Sequence, residues 1–293
     1  MLTHTSAASA KPRRVVIIGA GGFVGGAIQK KLTADGVTTL PLTRKEVDLL
    51  AEGAAWKLSQ ILRPSDSVVM VSAIAPVKTV PMLMQNLKMA EVVCEALMEK
   101  PVSHLLYISS DAVYADDANP VTEGSYSAPS TLHGMMHAAR ELMLKNATHA
   151  PISFLRSTLI YGAADPHSGY GPNRFRRQAD KSEAITLFGE GEEQRDHIFV
   201  DDVAALAALM LAHQSSGALN AATGTSTSFY DIAQIVAKLH GGTVISMQRP
   251  GPQPHLMHRF FDITTCLKAF PGFRFTPLAE GLANAYRESR GVH

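Results

Sequence analysis

The chain has 293 residues, 46% hydrophobic and 18% charged, enough for one large or two modest packed domains, which excludes disorder as the main state. Its 27 Lys and Arg against 26 Asp and Glu leave a formal net charge of +1, so no overall field recruits nucleic acid or an anionic membrane, although local sites can still hold phosphate. Cys94 and Cys266 stand far apart, form neither a disulfide framework nor a CxxC metal site, and are expected to be buried, inert thiols.

Residues 1–12 read as a flexible tail, small and polar up to Lys11, with no apolar segment of a secretory signal before Arg13 and Arg14. The longest charge-free apolar stretch, 15–28, is interrupted by five glycines and is shorter than the ~20 residues a membrane helix needs, so a cytoplasmic protein without a membrane partner is expected. The first ordered element is a β-branched strand at 14–18, followed by a glycine-rich turn and an amphipathic helix at 23–34. A strand at 37–42, a short helix at 54–62, a strand at 67–72, a long helix at 81–99 and a strand at 104–109 continue the alternation. Val68-Val69-Met70-Val71 and Leu105-Leu106-Tyr107-Ile108 are apolar on both faces, as strands of a parallel sheet covered by helices on both sides are. A helix at 132–145, a strand at 152–155 and a loop at 161–171 come next, and loops of that length usually line a site. Beyond it the pattern breaks into a short strand at 185–188, helices at 200–212 and 229–239, and a proline-rich connector at 250–254. The fold class is therefore α/β, a Rossmann-like doubly wound parallel sheet over 13–164 with a smaller C-terminal lobe, mainly substrate-binding, over 165–293, some of which returns to the first domain.

Gly19, Gly22 and Gly25 recur at three-residue steps between the first strand and its helix. The first permits a tight turn, the second lets backbone N–H groups approach a pyrophosphate at the helix N-terminus, and the third lets helix and strand pack closely. The second strand ends Leu42-Thr43-Arg44-Lys45, without the carboxylate that would accept from a ribose 2′-OH. Arg44 can instead offer a bidentate fork to a 2′-phosphate, so NADP is expected over NAD, unless Arg44 and Lys45 are only a solvated surface pair.

Taken in order, these motifs with Val47-Asp48-Leu49, Ser72-Ala73-Ile74, Asn86, the run from Tyr107 to Tyr114, Leu155-Arg156 to Tyr161-Gly162, and Gly189-Glu190-Gly191 to Val203 resemble the nucleotide-sugar epimerase/dehydratase branch of the extended short-chain dehydrogenase/reductases. The resemblance spans nearly the whole chain. It implies that the Phe23 and Val24 amides face the pyrophosphate, that Asp48 and Leu49 lie at the adenine, that Ser72, Ala73 and Ile74 line the cofactor, and that Ser157 lies near the nicotinamide. It also implies Asn173 beside the substrate and Arg195 on the diphosphate of a nucleotide sugar, the plain alternative for Arg195 being a salt bridge to Asp196 or Glu193. Ser110 takes the family's catalytic Ser/Thr position, where a hydroxyl both donates to and accepts from an oxygen that alternates between alcohol and ketone. Asp111 is similar to the aspartate of the sugar dehydratases and deoxysugar reductases, but Ala112 stands where the dehydratases hold a glutamate, which argues against a 4,6-dehydratase.

The main departure is at the family's Tyr-x-x-x-Lys, replaced here by His133-Gly134-Met135-Met136-His137. In the family the lysine holds the nicotinamide ribose and lowers the tyrosine pKa. An imidazole, with an ordinary pKa of about 6.5, can act as a base near neutrality unaided, but it is shorter than tyrosine, and a displacement of ~1 Å can cost ~10²-fold in rate. Three readings stay open: a substitute acid/base pair at His133 and His137, relics on a dinucleotide-binding sensor or scaffold without turnover, or, since i and i+4 share a helix face, a metal bridge, which lacks an HExxH glutamate and a third ligand. No resident metal is expected. The enzyme reading is hydride transfer at a sugar carbon, as a C4 epimerase or a keto-sugar reductase. His4, His240 and His293 are expected in solvent, and His167 and His197 near the cleft. Met82, Met84, Met89 and Met98 read as core fillers. A homodimer is expected through the helices at 81–99 and 132–145, whose exposed faces would carry Met82, Met89, Met136 and Met143.

Overall fold

The computed structural model describes residues 2–6, 9–248 and 258–291. A two-residue strand, β1 (Thr3–His4), precedes β2 (Val15–Ile18), all four of whose residues are buried. The glycine turn leads into α1 (Phe23–Ala34), and β3 (Thr39–Leu42), α2 (Ala54–Ile61), β4 (Ser67–Met70), α3 (Val80–Glu99), β5 (His104–Ser110), α4 (Leu132–Ala147) and β6 (Ile152–Ser157) keep the alternation. Then follow β7 (Leu159–Tyr161), α5 (Pro172–Asp180), β8 (Ile185–Phe188), β9 (Gln194–Phe199), α6 (Val200–Ala212) and β10 (Ser215–Ala221). The last elements are β11 (Ser226–Ser228), α7 (Phe229–Leu239), β12 (Ile245–Gln248), α8 (Thr264–Ala269) and α9 (Leu278–Ser289).

The central sheet has seven strands in the order β1-β10-β6-β5-β4-β2-β3, parallel except for β1. Its two faces are closed by separate apolar clusters, one holding Leu58, Val93, Leu97 and Leu144 from α2, α3 and α4, the other Ile28, Leu32, Val203, Ala207 and Met210 from α1 and α6. This is why the strands carry apolar residues on both sides. A third cluster, with Phe175, Ile185, Leu187, Phe229, Ile232 and Leu282, packs α5, α7 and α9 around the smaller sheets β11-β9-β7 and β12-β8. Chain order reverses between β2 and β4: β3 lies on one side of β2 and β4 on the other. A doubly wound sheet places its ligand crevice at such a point, beyond the carboxyl ends of the strands.

Several expectations need correction. The expected flexible tail contributes β1, whose Thr3 and His4 pair antiparallel with Ser216 and Ser215. His4 is half-buried there, bonded to Ser215 Oγ and to the Ala269 carbonyl and packed on His213 and Phe270. The His240 side chain is 3% exposed and meets Asp180 at 3.0 Å. Met89 and Met136 are buried, so they offer no exposed face, whereas Met84 and Met98, expected as core fillers, are about three-fifths exposed (59% and 61%). Position on the helix, not residue type, decides which methionines are inside. The loop at 161–171 starts one residue later, because Tyr161 closes β7. The connector at 250–254 and His293 lie outside the described residues. Cys94 and Cys266 are buried free thiols whose pKa burial pushes up to about 11 and about 12.

Candidate active site

The crevice at the strand reversal is built by close backbone approach. Gly19 has φ +102°, and a Cβ on it would stand 2.6 Å from the Ser72 nitrogen, so the two loops touch where only glycine fits. The Ser72 amide donates to the Ile18 carbonyl at 3.0 Å, tying the end of β4 to that of β2. A Cβ on Gly25 would overlap the Gly19 carbonyl oxygen, so this glycine seats α1 against the turn. Gly22 caps α1 with φ −88° and no side-chain hydrogen bond, and α1 has no acidic residue in its first turn, so the Phe23 and Val24 amides head an uncapped helix. Such an N-terminus favours an anion.

Around this turn the candidate cofactor residues fall as follows. Arg44 is exposed, and its Nε pairs with Asp48 Oδ2 at 3.1 Å, while Asp48 Oδ1 accepts from the Leu50 amide. Leu49 is buried. Ala73 is exposed, and Ile74 is held by Asn86, which accepts from its amide and donates to its carbonyl, both at 3.0 Å. Ser157 pairs in register with Ser110 across β6 and β5. The hydroxyls of Ser72 and Ser157 are buried without a hydrogen-bond partner.

The chemistry-bearing residues meet at the end of β5. Ser110 caps a single 3-10 turn, Asp111–Val113, its Oγ accepting from the Ala112 amide at 3.2 Å. Gly134 packs so closely on that turn that a Cβ would overlap the Ala112 carbonyl oxygen. His133 is the residue before it, and its ring stands edge-on to that of His137, centroids 4.8 Å apart. The Val77 amide donates to His133 Nδ1 at 3.5 Å, too long to fix a tautomer. Burial, together with the nearby His167, lowers the His133 pKa. His137 is buried, and burial, His133 and Arg140 put its pKa well below the ordinary value.

Three neighbours were missed by sequence reasoning. Arg259 is buried, its Nε 3.4 Å from Asp111 Oδ2 and its Nη2 donating to the Asp111 carbonyl at 3.1 Å. Burial raises the Asp111 pKa while Arg259 and Arg195 pull it down. Arg259 stands alone in a stretch without periodicity, so nothing marked it. Glu141 accepts from Ser109 and from Arg156, whose Nη2 lies 2.6 Å away, and Arg156 donates to the Tyr114 hydroxyl at 3.0 Å; this network braces β5, β6 and α4. The apolar run that predicted β5 hid Tyr107, whose hydroxyl lies 2.7 Å from His137 Nδ1.

On the substrate side, Arg195 pairs with Glu193 at 3.2 Å, the plain alternative weighed for it, while its buried Nε has no hydrogen-bond partner. Asn173 lies on α5, where only a loop was expected to precede the lobe, and its amide bridges the Gly162 amide and the Ile160 carbonyl, both at 3.2 Å. Arg177 donates to the carbonyls of Asp165 and His167 and so holds the loop in place. His197 is buried with its Nε2 unpartnered. Among the described residues no group of three or more His, Cys, Asp or Glu could hold a metal ion, and no helix is long and apolar enough to cross a membrane.

A family model described as the NAD dependent epimerase/dehydratase family matches residues 15–222. Solved structures similar to the chain include a UDP-glucose 4-epimerase from Thermotoga maritima with UDP-glucose, 20% identical with a TM-score of 0.81, covering 95% of this chain and 99% of that one. A UDP-N-acetylglucosamine 4-epimerase from Methanobrevibacter ruminantium in complex with UDP-N-acetylmuramic acid is 22% identical with a TM-score of 0.80, covering 96% and 99%. A Thermus thermophilus UDP-glucose 4-epimerase in complex with NAD is 22% identical with a TM-score of 0.79, covering 95% and 99%.

Proposed function

The chain belongs to the NAD-dependent epimerase/dehydratase family, and on that premise we propose that it is an oxidoreductase that binds NAD or NADP and transfers hydride at a carbon of a nucleotide sugar, as a C4 epimerase or a keto-sugar reductase. The observation that carries the reading is the contact of Gly134 with Ala112, which packs the first turn of α4, bearing His133, against the turn that Ser110 caps. The residues fit a dinucleotide. The uncapped N-terminus of α1 suits a pyrophosphate, no Cβ intrudes at Gly19 or Gly25, and the unpartnered hydroxyls of Ser72 and Ser157 would find acceptors or donors on a ligand there.

A nicotinamide ring supplies the hydride acceptor or donor. Ser110 orients the substrate oxygen by donating to it as a ketone or accepting from it as an alcohol. His133 takes or returns the proton of that oxygen. Its lowered pKa keeps the imidazole neutral at pH 7, the form a general base needs, so activity falls on the acid side, with the limb below about 6.5. Asp111, the residue after Ser110, is paired with the buried guanidinium of Arg259. Asn173 and Arg195 stand on the substrate side, within the lobe over 165–293, and a diphosphate would replace Glu193 on Arg195.

The cofactor choice turns on Arg44. A 2′-phosphate would take its guanidinium from Asp48, which favours NADP, whereas a pair left intact favours NAD. The reading places the protein in the cytoplasm and makes it a homodimer through α3 and α4. The exposed apolar residues on those helices are Val80, Met84, Met98, Met135 and Leu142, and of the methionines first assigned to that face Met89 and Met136 are buried. Sedimentation as a dimer at micromolar concentration supports this, and a monomer refutes it. The activity is tested by titrating NAD(H) and NADP(H), then by single-turnover reduction of a panel of 4-keto nucleotide sugars. His133→Ala should abolish hydride transfer with cofactor affinity unchanged; transfer at the native rate would overturn the assignment.

A further inference from the structure

His137 differs from His133 in one respect that fixes its chemistry: its Nδ1 is engaged by a buried phenol at 2.7 Å, whereas His133 Nδ1 meets a backbone amide at 3.5 Å. Which group donates in the shorter bond follows from what surrounds Tyr107. The phenol is 1% exposed on β5, and burial pushes its pKa up to about 12, so the hydroxyl keeps its proton. The Arg140 guanidinium, which can only donate, is near enough to the phenol to act on it and lower that pKa. Arg140 is itself anchored, donating to the Asn86 carbonyl at 2.7 and 2.9 Å and to the Ser72 carbonyl at 2.8 Å, so it cannot turn away. If His137 Nδ1 also donated, the phenol would accept from both neighbours. Its proton would then have only the thioether of Met136, at 3.9 Å, a weak acceptor. The better arrangement has Tyr107 donating to Nδ1, which leaves the proton of a neutral imidazole on Nε2.

We propose that Tyr107 is a positioning residue that fixes His137 as the Nε2–H tautomer, an uncharged donor standing where the family holds a lysine. The inference rests on the proposed function only for what that N–H meets, the ribose hydroxyls of the dinucleotide. The tautomer itself is a property of the free protein. The groups that face His137 all favour the neutral form: Tyr107 from β5 occupies its Nδ1 lone pair, and His133 and Arg140, on its own helix, oppose a second positive charge. His167 acts on His133 from the loop and Glu141 acts on Tyr107, whereas His137 answers to its burial, His133 and Arg140. The lysine's two tasks are therefore divided. A neutral N–H can hold a hydroxyl, but it cannot lower a neighbour's pKa, and His133, already neutral near pH 7, does not require that.

Long-range ¹H–¹⁵N correlation spectra of the ¹⁵N-labelled protein, with His137 assigned by its loss in His137→Gln, read the tautomer directly. The expected native pattern is a protonated Nε2 and an unprotonated Nδ1, unchanged from pH 7.5 to pH 5.5. In Tyr107→Phe the tautomer ratio should shift toward Nδ1–H about fivefold or more, the size of one net hydrogen bond, and the affinity for NAD(H) should fall in proportion to the fraction of Nε2–H that is lost. A protonated Nδ1 in the native protein, or a His137 that titrates like a free imidazole, overturns the proposal. These native spectra decide the matter even if Tyr107→Phe does not fold. A folded Tyr107→Phe whose tautomer and affinity match the native protein's also overturns it. A native protein with the expected tautomer that binds neither NAD(H) nor NADP(H) supports the role of Tyr107 and sinks the proposed function instead.

Discussion

Gly22 and Gly25 stand three residues apart in one turn and should respond differently to a side chain. Gly22 has φ −88°, and a Cβ on it would meet the Gly19 oxygen at 3.4 Å, so Gly22→Asp should fold normally and lose dinucleotide binding, because its carboxylate takes the place of the pyrophosphate. Gly25→Ala should instead lower stability, since the new methyl cannot coexist with the Gly19 carbonyl. Calorimetric titration with NAD(H) and NADP(H) beside a thermal melt separates the two; unchanged affinity in Gly22→Asp would remove this turn from the cofactor site. Arg44→Ala should weaken NADP(H) by about 1.5 kcal/mol, the low end for a charge-assisted contact because the side chain is exposed, and spare NAD(H). Equal losses for both would contradict a 2′-phosphate partner. The turn was legible in the sequence because glycine spacing reports backbone geometry directly. Arg195 was legible only as two alternatives, since a guanidinium beside Glu193 reads the same whether or not a ligand later takes it.

Among the elements, α1, α6 and α7 begin and end where expected, because each carries apolar residues at helical spacing bounded by turn residues. β10 was invisible: Ser215–Ala221 is made of small residues and gains its place by pairing with β6, a contact distant in sequence. β9 was hidden by its polar start, Gln194-Arg195-Asp196-His197, although Asp196 and His197 are buried, Asp196 accepting from the Thr223 and Gly224 amides and His197 packing on Phe229. α5 offers only Phe175 and Ala179 as an apolar stripe, although Pro172 in its first turn was a usable start signal. On the proposed function, the element that matters most is the first turn of α4, which carries His133. Thr131 caps it, its Oγ1 accepting from the Gly134 amide at 3.1 Å. Thr131→Ala should cost about 1 kcal/mol of stability and loosen His133 against the Ser110 turn. The expected signature is a fall in kcat with dinucleotide affinity preserved, because the glycine turn lies on another element. A variant with native kcat would show that the cap does not position the histidine.

For the molecule as a whole, the buried titratable groups set the pH range of stability, and their signs oppose one another. His104, His137 and His197 are buried with pKa values below the ordinary 6.5, His197 at about 3, in each case mainly because burial penalises the cation. The unfolded chain binds protons at these positions below pH 6.5 and the folded chain does not, so the stability they contribute is present above that pH and is lost as the pH falls. Each can contribute a slope of up to about 1.4 kcal/mol per pH unit. Asp196 works the other way: burial lifts its pKa to about 6, so between about 6 and 3.8 the folded chain binds the proton first and gains stability on acidification. The first half unit below pH 6.5 lies above the Asp196 range, and His133, also lowered by burial, adds to the histidines. Asp111, Asp165 and Asp202 are also raised by burial and work in the same sense as Asp196. The urea midpoint should therefore drop between pH 7 and pH 5.5. In Asp196→Asn, whose absolute stability also reflects the bonds to Thr223 and Gly224, the drop over the same interval should be steeper, because one compensating proton is gone. A midpoint that is flat or rises on acidification would mean that these imidazoles are already protonated in the folded chain. A neutral His137 would fall with them.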